Sequence, residues 1–171
     1  SKNDLNTAEI NFLNSFKINN NFIDAIKNLI LIYNRKKNFK KFVFFAEKLV
    51  SIEKLNPLFN FQLGYGYGEI QDYKKSIKYY KTSIRLDHHY KHMVFNNIGS
   101  SYAKIKKYKI SNRYFFKALK NNDNNKIIIN NIFSNYIGLR DEINAGLFYE
   151  KASKLDQNYT EFIYNKAEYF I

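Results

Sequence analysis

The sequence repeats itself at intervals of 34 or 35 residues. Large and small residues recur in the same order in three successive copies: Leu63, Gly64, Tyr67, Tyr73, Ser76, Tyr80 and Ser83; Ile98, Gly99, Tyr102, Tyr108, Ser111, Phe115 and Ala118; Ile132, Phe133, Tyr136, Glu142, Ala145, Tyr149 and Ala152. Only the glycine and the fourth aromatic are out of pattern in the last copy. A period of this length favours an array of small stacked units over one closed core.

The spacing inside one unit predicts two helices. Phe59, Leu63 and Tyr67 are four residues apart, so they lie on one stripe of a first helix. The apolar residues from Tyr73 to Ile84 are spaced by four, three and four, and predict a second helix. Small residues on both helices allow the backbones to approach, and the large aromatic residues fill the remaining space.

The pattern Leu63-Gly64-x-x-Tyr67, followed by Ser76-x3-Tyr80 and Ser83, resembles the tetratricopeptide repeat, a helix-turn-helix unit. It departs from that family at Asn60, where an aromatic residue is common, and in lacking the usual late proline. The resemblance implies an all-α fold, a right-handed α-solenoid of antiparallel helix pairs with about ten helices. It also implies a non-enzymatic scaffold that binds other proteins.

Extending the period in both directions predicts a single tetratricopeptide-repeat domain over residues 1–171. Its parts are a half-repeat 1–22, repeats 23–56, 57–91, 92–125 and 126–159, and a half-repeat or capping helix 160–171. Half-units at both ends lead us to expect a fragment of a longer protein. Their uncovered apolar faces, around Leu5 and Phe12 and around Ile163 and Phe170, are expected to favour self-association.

Several classes of chemistry find no support in the sequence. The chain has no cysteine, which excludes disulfides and sulfur-ligated metals. The cluster of His88, His89 and His92 lies in a predicted turn and is interpreted as solvated rather than metal-binding. The glycines of the segment 64–68 lie within a helix rather than after a strand, so no nucleotide site is predicted; Gly66 and Gly68 are expected to permit bending there. We predict no cofactor, no metal and no enzymatic activity.

The family resemblance implies a concave groove lined by first helices, which receives an extended or helical segment of a partner. The predicted groove residues are Lys27, Asn28, Leu31, Phe61, Gln62, Tyr65, Asn96, Asn97, Ser100, Asn130, Asn131 and Ser134. Phe61 and Tyr65 are expected to form an aromatic platform beside Asn97, used for binding rather than folding. The asparagines can pair with a ligand backbone. The known two-carboxylate clamp of the family is matched only at Asn97, so docking of chaperone tails is not expected.

A lysine-rich edge gives the alternative function. Lysine and arginine outnumber acidic residues by 28 to 15, a formal charge of +13. Many of these cations fall in the predicted turns between paired helices: Arg35, Lys36, Lys37, Lys40, Lys41, Lys74, Lys75, Lys104, Lys106 and Lys107. Such an edge could bind nucleic acid, anionic lipid or an acidic protein. The favoured partner remains another protein, with no small-molecule substrate.

Overall fold

The structure is a computed structural model that describes residues 2–87, 89, 91–120 and 123–155. Within these ranges the chain forms nine α-helices and no strand, which confirms the predicted all-α fold. The helices are α1 (Lys2–Ile18), α2 (Ile23–Arg35), α3 (Phe39–Ile52), α4 (Pro57–Glu69), α5 (Tyr73–Arg85), α6 (Lys91–Lys104), α7 (Tyr108–Leu119), α8 (Lys126–Gly138) and α9 (Glu142–Leu155). The helix predicted at 160–171, with Ile163 and Phe170, lies outside the described residues.

The chain separates into two compact units, residues 1–88 and residues 89–171. In the first unit, α1 packs against α2, α2 against α3, α3 against α4 and α4 against α5. In the second unit, α6 packs against α7, α7 against α8 and α8 against α9, and α6 also contacts α8. The single-domain organisation and the exact repeat boundaries remain predictions.

The four helix hairpins, α2–α3, α4–α5, α6–α7 and α8–α9, turn in the same way. A left-handed residue follows each first helix, and none of the four is glycine: Lys37, Gln71, Lys106 and Arg140, with φ of 53°, 64°, 58° and 56°. The next backbone N–H then donates to the carbonyl of the repeated tyrosine five residues earlier, as from Asp72 to Tyr67 at 2.9 Å. This pattern is a Schellman motif, which satisfies carbonyls left unpaired at the helix end.

The same turns also begin the second helices. The side chain of Asn38 accepts a hydrogen bond from the backbone N–H of Lys41 at 3.2 Å, and Asp72 accepts one from Lys75 at the same distance. In three of the four hairpins, one asparagine or aspartate therefore lies at the end of one helix and caps the next. Lys107 takes this place between α6 and α7, and no side-chain cap bond forms there.

Two glycines of α4 allow bulky neighbours to approach. A β-carbon at Gly64 would lie 2.8 Å from the Tyr80 ring, which confirms the predicted pairing of a small and a large residue. A β-carbon at Gly66 would lie 2.6 Å from the Phe42 ring. Gly66 therefore makes room for a side chain of α3, and the expectation that it also permits bending stays a prediction. A β-carbon at Gly68 would lie 3.3 Å from the Ser76 hydroxyl oxygen, which is a tighter contact than usual.

The departure from the family pattern at Asn60 has a structural reason. Asn60 is buried, and its amide donates to the carbonyls of Lys54 and Asn56, both at 2.9 Å. An aromatic residue could not make these bonds. Asn60 thus ties the turn between α3 and α4 to the body of α4.

Polar bonds reinforce the core of the second unit. Gly99 admits the buried ring of Phe115, since a β-carbon there would lie 2.7 Å from it. The Ser111 hydroxyl donates to the Gly99 carbonyl at 2.7 Å, so this small residue is also a hydrogen-bond donor. The Asn135 amide donates to the Ser111 hydroxyl at 2.8 Å and to the Asn112 side-chain oxygen at 2.7 Å. Three helices are joined by this buried network.

Candidate functional site

In the first unit, the predicted groove residues lie on α2 and α4. Lys27 and Leu31 are exposed on α2, and Asn28 is half-buried with its amide bonded to the Asp24 carbonyl at 2.8 Å. Two contacts link the helices. The Lys27 ammonium lies 5.8 Å from the Phe59 ring centroid, and the Tyr65 hydroxyl donates to the Asn34 side chain at 3.4 Å.

The two aromatic residues of the predicted platform are half-buried rather than open. The Tyr65 ring meets Phe39 and Phe42 edge-on, with centroids 6.1 and 5.6 Å apart. The Phe61 ring lies 5.5 Å from that of Tyr80. Burial is the main cause that raises the pKa of Tyr65, and the nearby charge of Glu69 raises it further. Both side chains therefore contribute to packing of the first unit, which the sequence did not predict.

In the second unit, the predicted groove residues lie on α6 and α8, two helices in direct contact. Five of the six are half-buried and reachable from solvent: Asn96, Asn97, Ser100, Asn131 and Ser134. Asn130 differs, because only 6% of it is exposed. Its predicted role as an open amide for a ligand does not fit this position.

A cleft of about 320 Å³ opens between α6, α7 and α8, and we call it the α6–α8 cleft. Its lining residues are Ser100, Ala103, Lys104, Tyr108, Phe115, Asn131, Ser134 and Asn135. Three predicted groove residues, Ser100, Asn131 and Ser134, meet in it. The lining contains one cation, several neutral polar groups and no carboxylate.

The surrounding fold fixes two walls of the α6–α8 cleft. Asn135 is 2% exposed, and both hydrogens of its amide are used in the network with Ser111 and Asn112. The group that Asn135 still offers is its carbonyl oxygen, an acceptor. Tyr108 stands against Gly138, where a β-carbon would lie 2.6 Å from the ring. Gly138 thus makes room for this tyrosine.

Sequence reasoning missed Asn135 and Tyr108 as cleft residues. Tyr108 was interpreted only as a repeat position. Asn135 stands where the two preceding repeats have Gly66 and Ser101. A large polar residue at a position held elsewhere by small ones was the available signal.

The stretch that contains helices α6 to α8 is strongly one-sided in charge. Residues 91–138 contain nine lysines and arginines, and their only acidic residue is Asp123. Helices α6, α7 and α8 have no carboxylate side chain. Anionic groups are therefore attracted to this part of the chain.

The predicted basic edge is partly engaged in the fold. Lys36 forms an ion pair with Glu9 and donates to Asn6 at 2.6 Å. Lys41 lies 3.6 Å from the Glu9 carboxylate and 5.0 Å from the Tyr33 ring centroid. Lys75 pairs with Asp72 at 3.5 Å. Other cations of the edge are exposed: Arg35, Lys37, Lys40, Lys74, Lys104, Lys106 and Lys107.

His89 and His92 are exposed, while His88 lies outside the described residues. Across the described ranges, no three or more histidine, aspartate or glutamate side chains converge as a metal site would require. The described helices include none with the length and apolar character needed to span a bilayer.

Repeated hairpins with one turn geometry and recurring glycine–aromatic contacts define the class of protein as a helical repeat array. Residues 59–89 match the family model of the tetratricopeptide repeat. The predicted resemblance is thereby confirmed, and the matched residues include the α4–α5 hairpin. Proteins built from this repeat are typically non-enzymatic scaffolds.

Solved structures share the fold at low sequence identity. The chain superposes on a crystal structure of MamA with a TM-score of 0.83 and 16% identity, covering 99% of this chain and 88% of that one. The superposition on PilF of Pseudomonas aeruginosa has a TM-score of 0.76 at 16% identity and covers 98% of this chain and 76% of that one. The third structure is YrrB, described as a TPR protein with an unusual peptide-binding site. It superposes with a TM-score of 0.73 at 14% identity, covering 93% of this chain and 81% of that one. The comparison with curated proteins found no match.

Proposed function

We propose that this protein is a non-enzymatic scaffold whose first-helix faces bind an extended or helical segment of a partner protein. The observation that carries the proposal is the α6–α8 cleft, where Ser100, Asn131 and Ser134 converge. These side chains come from two successive repeats. A segment lying across both would contact polar groups that recur with the period of the array.

The contrast between buried packing residues and side chains without a hydrogen-bond partner supports this proposal. Tyr67, Tyr80 and Leu63 are buried and carry the packing. By contrast, Ser100 and Asn131 line an open cleft, and neither side chain has a hydrogen-bond partner among the described residues. Peptide ligands offer both donors and acceptors, which serine and asparagine match.

A random peptide library displayed on phage, selected against the whole chain, tests the proposal. Enriched peptides should bind the purified protein in calorimetry, and Asn131→Ala should weaken that binding about tenfold with an unchanged melting temperature. Exposed Asn124→Ala, in the turn before α8, is the matched control. Failure to enrich any peptide with a folded, helical protein would overturn the proposal.

The second candidate is a binder of an anionic surface through the basic edge. The excess of cations in residues 91–138 favours it, while the engagement of Lys36, Lys41 and Lys75 within the fold weighs against it. A single-stranded oligonucleotide held by several lysines should lose orders of magnitude of affinity between about 50 and 200 mM salt. Lys106→Gln with Lys107→Gln should weaken such binding strongly. Lys36 is unsuitable for this test because its loss would also disturb α1.

A further inference from the structure

We infer that the α6–α8 cleft receives an acidic side chain, so that the protein prefers partner segments containing aspartate or glutamate. This inference rests on the proposed function and names the chemistry of the segment. It begins from the one charged group of the cleft. Lys104 is exposed at the end of α6 and has no carboxylate partner among the described residues.

Unused donors surround this lysine. The hydroxyl groups of Ser100 and Tyr108 line the same cleft, and neither has a hydrogen-bond partner in the described part of the chain. An ammonium and two hydroxyls can all donate to one carboxylate. Hydrogen bonds in which the donor or the acceptor is ionised are about twice as strong as neutral ones.

The electrostatic setting favours an anion over a neutral ligand. No helix that lines the α6–α8 cleft contains an acidic residue, and only Asp123 offsets nine cations in residues 91–138. A carboxylate entering the cleft would therefore meet no repelling charge on these helices. A basic side chain would meet Lys104 directly, and this repulsion disfavours lysine-rich and arginine-rich segments.

The acceptor groups of the cleft favour a peptide over nucleic acid. Asn135 offers only its carbonyl oxygen, because its amide hydrogens are bonded to Ser111 and Asn112. Asn131 adds a second side-chain carbonyl. A peptide backbone supplies N–H donors beside its acidic side chain, whereas a phosphodiester backbone supplies acceptors only. A volume of about 320 Å³ is at the small end of ligand pockets, which span roughly 300–1,000 Å³, and suits one side chain with its adjoining backbone.

The experiment is selection of random peptides by the whole chain, with enrichment read at each position. The wild-type protein should enrich aspartate or glutamate at one fixed position. A synthetic peptide from the selection should bind about tenfold more weakly when that residue becomes asparagine or glutamine. Lys104→Gln should remove the acidic preference, and Lys104→Arg should retain it.

A matched control separates the cleft from general attraction between opposite charges. Lys109→Gln removes an exposed cation of α7 that does not line the cleft, and it should leave the acidic preference unchanged. Equal losses in Lys104→Gln and Lys109→Gln would overturn the inference. Peptides enriched without acidic preference would also overturn it, while leaving the proposed scaffold function intact. Tighter binding of a labelled oligonucleotide than of every selected peptide, lost in Lys104→Gln, would assign the cleft to nucleic acid and overturn it as well.

Discussion

The ring of Tyr67 lies parallel to that of Tyr79, with centroids 5.6 Å apart and planes at 5°. The first tyrosine ends one helix of its hairpin and the second lies on the other helix, 12 residues later. Stacked rings recur at Tyr33–Phe45, 5.5 Å apart, and at Tyr102–Tyr114, 5.6 Å apart, while Tyr136–Phe148 in the α8–α9 hairpin has the same 5.6 Å separation with planes tilted by 37°. The second aromatic of each pair follows the period of the chain, although only the first belongs to the recognised pattern.

We expect the Tyr67–Tyr79 stack to stabilise its hairpin beyond the apolar area that it buries. Tyr79→Leu keeps a large apolar side chain but removes the ring interaction, and should lower the free energy of unfolding by about 0.5–1.5 kcal/mol. Tyr79→Phe retains the stack and is the matched control. Urea denaturation of the two variants measures the difference. Equal stability of Tyr79→Leu and Tyr79→Phe would show that stacking adds nothing.

The left-handed turn residues offer an independent gain in stability. Gln71 has φ of 64°, a conformation that costs a residue with a β-carbon roughly 1–2 kcal/mol. Gln71→Gly relieves this strain. Glycine loses more conformational entropy on folding than glutamine does, which offsets part of the gain. We expect the free energy of unfolding to rise by about 0.5–1 kcal/mol. Gln71→Ala removes the same side chain but keeps the β-carbon, so thermal melts should show no comparable gain for it.

The helix pairs and their main contacts could be predicted because they follow from local spacing. Gly64 and Tyr80 are recognisable as a packed pair, since a gap at one position requires bulk at the other. The turn geometry was not recognisable, because Lys37, Gln71, Lys106 and Arg140 occupy positions where glycine is the usual signal. Their conformation is imposed by the Schellman bonds of the hairpin.

The site was harder to predict than the fold. The position of Tyr65 depends on Phe39 and Phe42, which belong to the previous hairpin. Its spacing along α4 places it on a face but does not reveal these neighbours. Asn130 shows the same limit, because its position matches that of half-buried Asn96 while its own surroundings bury it. Burial of a polar side chain is decided by packing between repeats.

A pH dependence should arise where α1 packs against the first hairpin. Hydrogen bonds from Lys36 and Tyr33 hold the pKa of Glu9 below its ordinary value of 4.5. A carboxyl group whose pKa is lowered by folding stabilises the protein above its unfolded pKa. That stability is lost as the pH falls through the lowered value. The first unit should therefore lose stability below about pH 4.5.

The Glu9→Gln variant tests this dependence. At neutral pH it should be less stable by about 1–3 kcal/mol, because Lys36 and Tyr33 lose a charged acceptor. The difference from wild type should shrink as the pH falls below the ordinary value of 4.5. Asp24→Asn is the control, since this exposed carboxylate is 3.8 Å from Lys27 and such pairs contribute little. Urea denaturation at several pH values measures the difference in stability. A difference between Glu9→Gln and wild type that stays constant with pH would contradict the role given to the Glu9 carboxylate.

Binding and stability should separate at Asn97 and Tyr67. The Asn97 side chain is half-buried on α6 and has no hydrogen-bond partner among the described residues. Asn97→Ala should therefore weaken the binding of a selected peptide about tenfold and leave the melting temperature nearly unchanged. Tyr67 is 4% exposed and bonded to Glu47, so Tyr67→Ala should cost about 3–5 kcal/mol of stability.

Tyr65 should affect both properties, because its ring packs on Phe39 and Phe42 while the side chain is only half-buried. Tyr65→Ala is expected to lower the melting temperature by less than Tyr67→Ala, which removes a more deeply buried ring. Tyr65→Phe keeps the ring contacts and removes only the hydroxyl bonded to Asn34. If the peptide affinity of Tyr65→Ala, calculated for the folded fraction of the protein, equals that of wild type, Tyr65 is purely a packing residue. If Tyr65→Phe binds like wild type while Tyr65→Ala does not, the ring carries the contact with the partner.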